Sequence, residues 1–505
     1  MTEPVGSGRG GAMADAMRRW LPVALIVGMA ALLRLPWLDL RPLHHDEGSN
    51  AIFIERILHG GSYRYDPANY HGPLLFRSSA LALRLFGSTT VAFRIVPALI
   101  GTLMVALILG LRRPLGIAGA RVAALLVALS PSFVYYSRDN IHEIYFAGLT
   151  LLLVSALVGW RTQWGVGRAV LAGLSAGGLV ATKESAILVF AALAAGLLLS
   201  GGAGILRIKP VHLATVVVLA IASSAWLYDG TLPDPRAMSG PLRSILLWAE
   251  RGLAASGHVK PWWYFLRVMT FEEPAIVAAA VAGGVIGVRR RDRFAVFLAG
   301  WTGCSLVIHS AIPYKTPWLV LNPLLPMALL AGRLASFLGT RPGLPWVRPG
   351  RALLVMLLSF SLVRAIDLSF VSYDRDGRSD LIYVQTRRDA LRLVDGVERY
   401  ASGHGCGPDM PVDIVSPDYL PLNWYLRGFS DVSYHGAAID AADAPIIVAR
   451  SDDAPAMAAR LGADYDQQTF VLRPGVDLVL FTSRRADEAC RRGGTPVESP
   501  AEARE

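Results

Sequence analysis

Apolar positions along this chain come in long runs separated by short polar stretches. Eleven windows of about 19 residues, the length that registers a membrane span, are predominantly apolar: 21–38, 91–111, 118–136, 141–160, 169–182, 185–204, 211–228, 274–288, 294–312, 317–335 and 351–368. A bilayer core takes about 20 apolar residues per helix, so the pattern predicts a polytopic α-helical membrane protein with about eleven transmembrane helices. Segment 73–86 (PLLFRSSALALRLF) is apolar but short and carries Arg77 and Arg84. It predicts a helix lying at the membrane interface. After about residue 370 the apolar runs shorten to strand length (PVDIVS, APIIVAR, VDLVLF) and alternate with helix-like stretches at 380–400 and 418–427, as in a small α/β domain. The expected organisation is an N-terminus over 1–20, a transmembrane domain over 21–368, an α/β domain over 369–490 and a disordered tail over 491–505.

Composition agrees with this class. Of 505 residues 53% are hydrophobic and 17% charged, and the mean hydropathy is +0.42. The formal charge of +10 does not indicate a nucleic-acid partner, because the excess arginine sits in short clusters between apolar runs. Arg18-Arg19, Arg112-Arg113, Arg161 and Arg168, Arg207 and Lys209, Arg289-Arg290-Arg291, and Arg333 through Arg351 all fall on one side when the spans alternate. By the positive-inside bias that side is cytoplasmic. Loops 39–90, 137–140, 183–184, 229–273 and 309–316 then lie outside the inner membrane, together with the α/β domain. An external compartment permits a disulfide between Cys406 and Cys490, although spacing alone does not pair them.

The densest polar cluster opens the first outer loop, where His44, His45, Asp46 and Glu47 follow one another in RPLHHDEGSNAIF. Ionisable groups beside a membrane are costly and point to function, although a solvated loop start is the plainer reading of such a cluster. The amphipathic AIFIERIL that follows would hold it against the bundle. Tyr63, Tyr65 and Tyr70 in YRYDPANYHGP can stack on sugar faces or anchor at headgroups. Further polar groups share the outer side: His71, Arg138 with Asp139, His142 and Glu143, Lys183 with Glu184, and Lys315. Singly, each has a structural reading as a snorkelling side chain or a local ion pair, and Arg34 and Arg94 read as helix–helix hydrogen bonders. Jointly they suit transfer of a sugar from a polyprenyl phosphate. A carboxylate takes the acceptor proton, and cations steady the departing phosphate.

His44, His45, Asp46, Glu47, His142 and Glu143 could also supply ligands to a divalent metal, but no zinc spacing such as H-E-x-x-H occurs. No cofactor is required by the sequence, and the identity of any metal is unknown. Walker, dinucleotide-binding and serine-hydrolase motifs are absent.

The stretches RLPWLDLRPLHHDEGSNA, HGPLLFRSSALALRLFGSTTVAFRIVPALIG, YYSRDNIHEIYF and ATKESA resemble the GT-C glycosyltransferases. The branch is that of the dolichyl-phosphate-mannose–protein mannosyltransferases and the lipid A aminoarabinose transferases. HHDEG, YRYDPANYHGPLLF and PYKTPW resemble more narrowly a subgroup whose representative is associated with flipping a lipid-linked sugar in archaeal N-glycosylation. The likeness covers roughly residues 20–330. It implies inverting transfer from a polyprenyl-phosphate-linked sugar to a protein, lipid or glycan acceptor. Asp46 is then the general base, and Glu47 orients it or holds the acceptor. Donor-phosphate contacts are expected at His71, Arg138, Lys183 and Lys315, and acceptor or substrate contacts at His44, His45, Tyr65, Tyr70, Asp139 and Glu143, from their residue types and shared outer side. Where the family often has lysine at the start of the interfacial helix this chain has His71, a weaker phosphate clamp at neutral pH. A flippase, or a flippase-associated protein for lipid-linked sugars, would need the same groove without the base. A scaffold for glycan assembly would need neither.

Overall fold

A computed structural model of the chain describes residues 8–61, 71–158, 165–202, 208–229, 245–250, 258–340 and 347–485. Tyr63, Tyr65 and Tyr70, the Cys406–Cys490 pairing and the tail at 491–505 lie, wholly or through one partner, outside the described residues. The described chain divides into two compact units.

The first unit takes residues up to Asp39, Phe53–Ser372 and Ser379–Tyr383, and it is helical. Its helices are α1 (Gly8–Arg34), the end of α2 (His45–Leu58), α3 (Leu74–Phe86), α4 (Thr90–Gly110), α5 (Arg112–Leu115), α6 (Ile117–Leu129), α7 (Pro131–Ser137), α8 (His142–Val158), α9 (Val166–Val180), α10 (Ala186–Leu199), α11 (Pro210–Asp229), α12 (Tyr264–Glu272), α13 (Pro274–Arg289), α14 (Arg293–Ala311), α15 (Leu321–Gly339) and α16 (Val347–Ile366). Every apolar window of the sequence falls on one of these helices. Among the described residues five stretches are long and apolar enough to cross a bilayer: Thr90–Gly110, Pro210–Tyr228, Arg293–Ala311, Pro317–Gly339 and Arg348–Val371. Two bent helix pairs are apolar enough only when taken together: α6 and α7 meet at 59°, and α12 and α13 meet at 108°.

The remaining four windows correspond to apolar helical stretches of 14 to 17 residues: Trp20–Arg34 within α1, and α8, α9 and α10. At about 1.5 Å per residue these are shorter than a hydrocarbon core of roughly 30 Å. Polar turns cut them off, as at Thr182–Ser185 between α9 and α10. α3 is the short helix that the sequence predicts there: Leu75, Phe76, Ala80 and Leu83 are buried, while Leu81, Leu85 and Phe86 are exposed together with Arg84.

The bends have identifiable causes. Ser130 ends α6, and its hydroxyl accepts the Phe133 N–H at 3.2 Å. Pro131 then opens α7, where its missing N–H costs nothing. Pro274 starts α13 in the same way. Glu273 ties the two breaks together, its Oε1 accepting from Ser130 Oγ at 2.6 Å and from the Ser132 N–H at 2.8 Å.

The second unit holds Leu40–Ile52, Tyr373–Arg378 and the chain from Val384 onward. Its sheet has the order β2-β1-β3-β5-β4, from β1 (Val412–Val415), β2 (Val432–Tyr434), β3 (Ile446–Arg450), β4 (Tyr465–Arg473) and β5 (Val476–Ser483). β2, β1 and β3 run parallel, and β5 and β4 are added antiparallel. Period-2 alternation sends Val412, Ile414, Ile446, Val448, Leu478 and Leu480 to one face, under Leu393, Val394 and Val397 of α17 (Asp389–Gly403). Val415, Ile447, Ala449, Val479 and Phe481 face the other way, toward Met457 of α19 (Ala454–Leu461). Between them, α18 (Leu422–Tyr425) is a single turn.

Two sequence expectations shift. The helix expected over 380–400 starts only at Asp389, because residues 379–383 are held in the first unit: Ser379 Oγ donates to Glu272 at 2.6 Å and Leu381 O accepts from Tyr136 Oη at 3.1 Å. The helix expected over 418–427 shrinks to α18, since Pro421 lacks the N–H to continue a helix through it.

Candidate active site

The predicted first-loop cluster is the start of α2, in the second unit. His44 is the N-cap. Its Nδ1 accepts the Asp46 N–H at 3.1 Å, and Glu47 Oε2 reaches back to accept the His44 N–H at 2.8 Å. This is a capping box, with histidine in the place usually held by serine or threonine. The consequence for the two carboxylates is opposite. Glu47 is fully buried and spends an oxygen on its own helix start. Asp46, one position earlier, points away with its side chain 43% exposed. The first turn also supplies a favourable field for its negative charge. His45 precedes both and is half-buried. Burial chiefly pushes its pKa down to about 4; Arg473 and His44 push the same way, and Asp46 and Asp418 oppose them.

The basic residues gather in the first unit. His71 pairs with Lys183 in a short antiparallel bridge, in which the Gly72 N–H donates to Thr182 O at 3.1 Å and the Leu74 N–H to Ala181 O at 3.0 Å. Only glycine fits at position 72, where a Cβ would stand 2.2 Å from Ala181 O. The bridge brings His71 to 3.6 Å from Glu184 and its ring to 4.4 Å from that of His142. Lys183 donates to Glu143 at 2.5 Å, both side chains being buried. The local pair is therefore Lys183–Glu143 rather than Lys183 with its neighbour Glu184. His309 lies within electrostatic range of both Lys183 and Lys315, which draws Lys315 to the same end of the bundle. Lys315 is itself buried; its ammonium donates to Ile312 O, and burial holds its pKa below the ordinary lysine value.

Arg138 has a different task from the one its residue type suggests. Its guanidinium takes the carbonyls that terminate α1: Leu33, Arg34, Pro36 and Trp37, at 2.6–3.4 Å. It also lies over the Phe370 ring. Arg34 does the same for the end of α6, donating to Val127 O and Ala128 O at 2.8 and 2.9 Å. Arg94 binds Leu38 O at 2.8 Å and stands 3.9 Å from Asp139. These arginines satisfy helix-terminal carbonyls that have no partner of their own. Asp139 likewise sits with Arg94, apart from the His71 group.

An apolar groove of about 490 Å³ opens along α3, α4 and α8, lined by Leu74, Val96, Ile100, Met104, Tyr145 and Leu149 among others. Leu74 follows His71 by three positions, so one end of the groove adjoins the basic group. Among the described residues no three His, Cys, Asp or Glu side chains come together as a metal-ligand set.

Residues 70–228 match the model of the dolichyl-phosphate-mannose-protein mannosyltransferase family. The fold is that of ArnT from Cupriavidus metallidurans, in the apo state (TM-score 0.63) and bound to undecaprenyl phosphate (TM-score 0.62). Both matches cover 92% of this chain and 98% of that one at 18% identity. The chain is thus similar over residues 70–228 to that mannosyltransferase family and shares the fold of ArnT. It is a multi-pass membrane protein with a small C-terminal sheet domain. No protein of curated function matches it by sequence. The family match takes in His71, His142, Glu143 and Lys183, while Asp46 precedes it.

Sequence reasoning named most of the titratable residues in both groups. It missed His309, which is indistinguishable from a core histidine in its run, and it missed Gln385, Asp418, Asn423, Tyr425 and Arg473 of the second unit. No local signal marks those five: Gln385, Asn423 and Tyr425 bond residues 42–48 across more than 340 positions, and Asp418 and Arg473 act on His45 electrostatically across a similar separation.

Proposed function

We propose that the protein transfers a sugar from a polyprenyl-phosphate donor to an extracytoplasmic acceptor with inversion at the anomeric carbon. Asp46 is the general base. Its carboxylate takes the acceptor hydroxyl proton as that oxygen bonds to the anomeric carbon, and the bond from the anomeric carbon to the phosphate oxygen breaks, releasing polyprenyl phosphate. His71, Lys183 and Lys315 steady the leaving phosphate, and the groove along α3, α4 and α8 takes the isoprenoid chain. ArnT, which shares the fold, binds undecaprenyl phosphate. The α/β unit and the first loop lie outside the inner membrane, the N-terminus inside. No metal enters the scheme.

The observation that carries this reading is the division of labour at α2: Glu47 is turned inward as a cap and Asp46 is presented on a fixed first turn. A general base needs such a defined position. The test compares lipid-linked sugars and surface glycans in a deletion strain complemented with wild type or Asp46→Asn. Loss of glycan with donor still present in the outer leaflet is expected. Full glycan synthesis by Asp46→Asn would remove the base, and donor trapped in the inner leaflet would point to translocation instead.

A further inference from the structure

Segment 40–52 carries Asp46 and packs within the second unit, where four contacts hold it to residues of the C-terminal part. Gln385 Nε2 donates to Pro42 O at 3.0 Å. The Leu43 N–H donates to Tyr425 Oη at 2.8 Å. Asn423 Nδ2 donates to Gly48 O at 2.9 Å. Gly48 itself lies so close to Pro421 that a Cβ would stand 2.7 Å from the Pro421 Cα. The contacts bracket Asp46, two before it and two after it. They are also internal: Gln385 is 1% exposed and Asn423 8%.

The loop that supplies three of them is itself fixed. Arg473, at the end of β4, donates to Leu420 O at 3.0 Å and to Asp418 at 2.6 Å. Arg450 holds the other Asp418 oxygen at 3.0 Å.

An isolated first turn frays, because its leading N–H groups have no helical partner. Here Tyr425 serves the N–H just ahead of the capping box, and Asn423 and Pro421 hold the turn's far side. We infer that Gln385, Asn423 and Tyr425 of the C-terminal α/β unit are positioning residues for the Asp46 carboxylate, which makes that unit a working part of the transferase. The inference rests on Asp46 being the base. It assigns the exported unit a task in the chemical step, whatever acceptor is used.

The test uses the full-length enzyme in detergent with solubilised membranes of a deletion strain as the source of donor and acceptor. Release of polyprenyl phosphate is followed by mass spectrometry. For the Asn423→Ala/Tyr425→Phe double variant the maximal rate is expected to fall about 10- to 100-fold, the range that a displacement on the order of 1 Å produces. The half-saturating amount of membrane should stay as in wild type. Hydrogen exchange should rise in the peptide covering 40–52 while β1 and β3 keep their protection. Should β1 and β3 open as well, Tyr425→Phe alone, which deletes one oxygen, takes the place of the double variant. Unchanged exchange over 40–52, or an unchanged maximal rate alongside faster exchange, overturns the inference. Asp46→Asn is run in parallel: if it still releases polyprenyl phosphate, the base assignment falls, and the exchange data still judge the clamp.

Discussion

Glu47 Oε2 accepts the backbone N–H of His44 at 2.8 Å, and the His44 ring accepts the N–H of Asp46 at 3.1 Å. The two bonds lock the first turn of α2 from both ends of the capping box. Adjacent carboxylates with similar intrinsic acidity therefore acquire unlike tasks. Replacing Glu47 by Gln keeps an oxygen for the cap, so most of the transfer rate should survive. Glu47→Ala removes the cap, at a cost of about 1 kcal/mol to the helix start, and the rate should fall with it. Asp46→Asn leaves the cap intact and should abolish turnover. Initial rates and thermal midpoints of the three variants separate the roles; equal loss in Glu47→Gln and Asp46→Asn would put Glu47 in contact with substrate.

Gly72 sits where the His71 and Lys183 backbones meet, and its missing side chain is what lets them. A Cβ would fall 2.2 Å from Ala181 O and 3.0 Å from Thr182 N, and both of these belong to backbone that cannot step aside. Gly72→Ala should therefore pry the bridge apart, moving His71 away from Glu184 and His142. We expect a lower thermal midpoint and at least a tenfold weaker affinity for undecaprenyl phosphate, read by isothermal titration in detergent. Unaltered affinity would detach this bridge from the donor site.

Much of this was legible in the sequence because apolar runs and charged punctuation are local signals. The helices, the short α3, the α/β unit and the strands β1, β3 and β5 could all be read that way. β4 could not: Asp466, Gln467 and Gln468 are exposed on an edge strand, so its polar YDQQT stretch lacks the apolar run that marks a strand. Nor could the fate of Arg138, since a buried arginine that terminates helices and one that binds phosphate have the same residue type. The clamp on segment 40–52 was invisible for a third reason, that hydrogen bonds across more than 340 positions leave no periodicity.

His45 should leave a mark on the pH dependence of stability. Its pKa is held at about 4, chiefly by burial, against the ordinary histidine value of 6.5. Between these values the unfolded chain binds a proton that the folded chain does not, so stability falls as pH drops through that window and is level above it. His45→Gln lacks this term. The thermal midpoint of wild type relative to His45→Gln should therefore be constant near pH 7.5 and decline as the pH is lowered from about 6.5 toward 4. A difference that stays flat down to pH 4 would mean that His45 is not held neutral in the fold.

The Lys183–Glu143 pair offers the last and sharpest test of the basic cluster. Both side chains are buried and 2.5 Å apart, so removing either one strands the other's charge away from water. Breaking such a pair costs about 3–5 kcal/mol, whereas replacing both partners by apolar groups of similar size is often near neutral. Lys183→Met and Glu143→Leu should each lower the thermal midpoint markedly, and the double variant should recover most of the loss. Activity should separate from stability in the same set. If Lys183 also steadies the donor phosphate, the double variant regains its fold but not its turnover, because the cation is still missing. A double variant that recovers both would confine Lys183 to holding α8 against the turn between α9 and α10. The donor phosphate would then rest on His71 and Lys315.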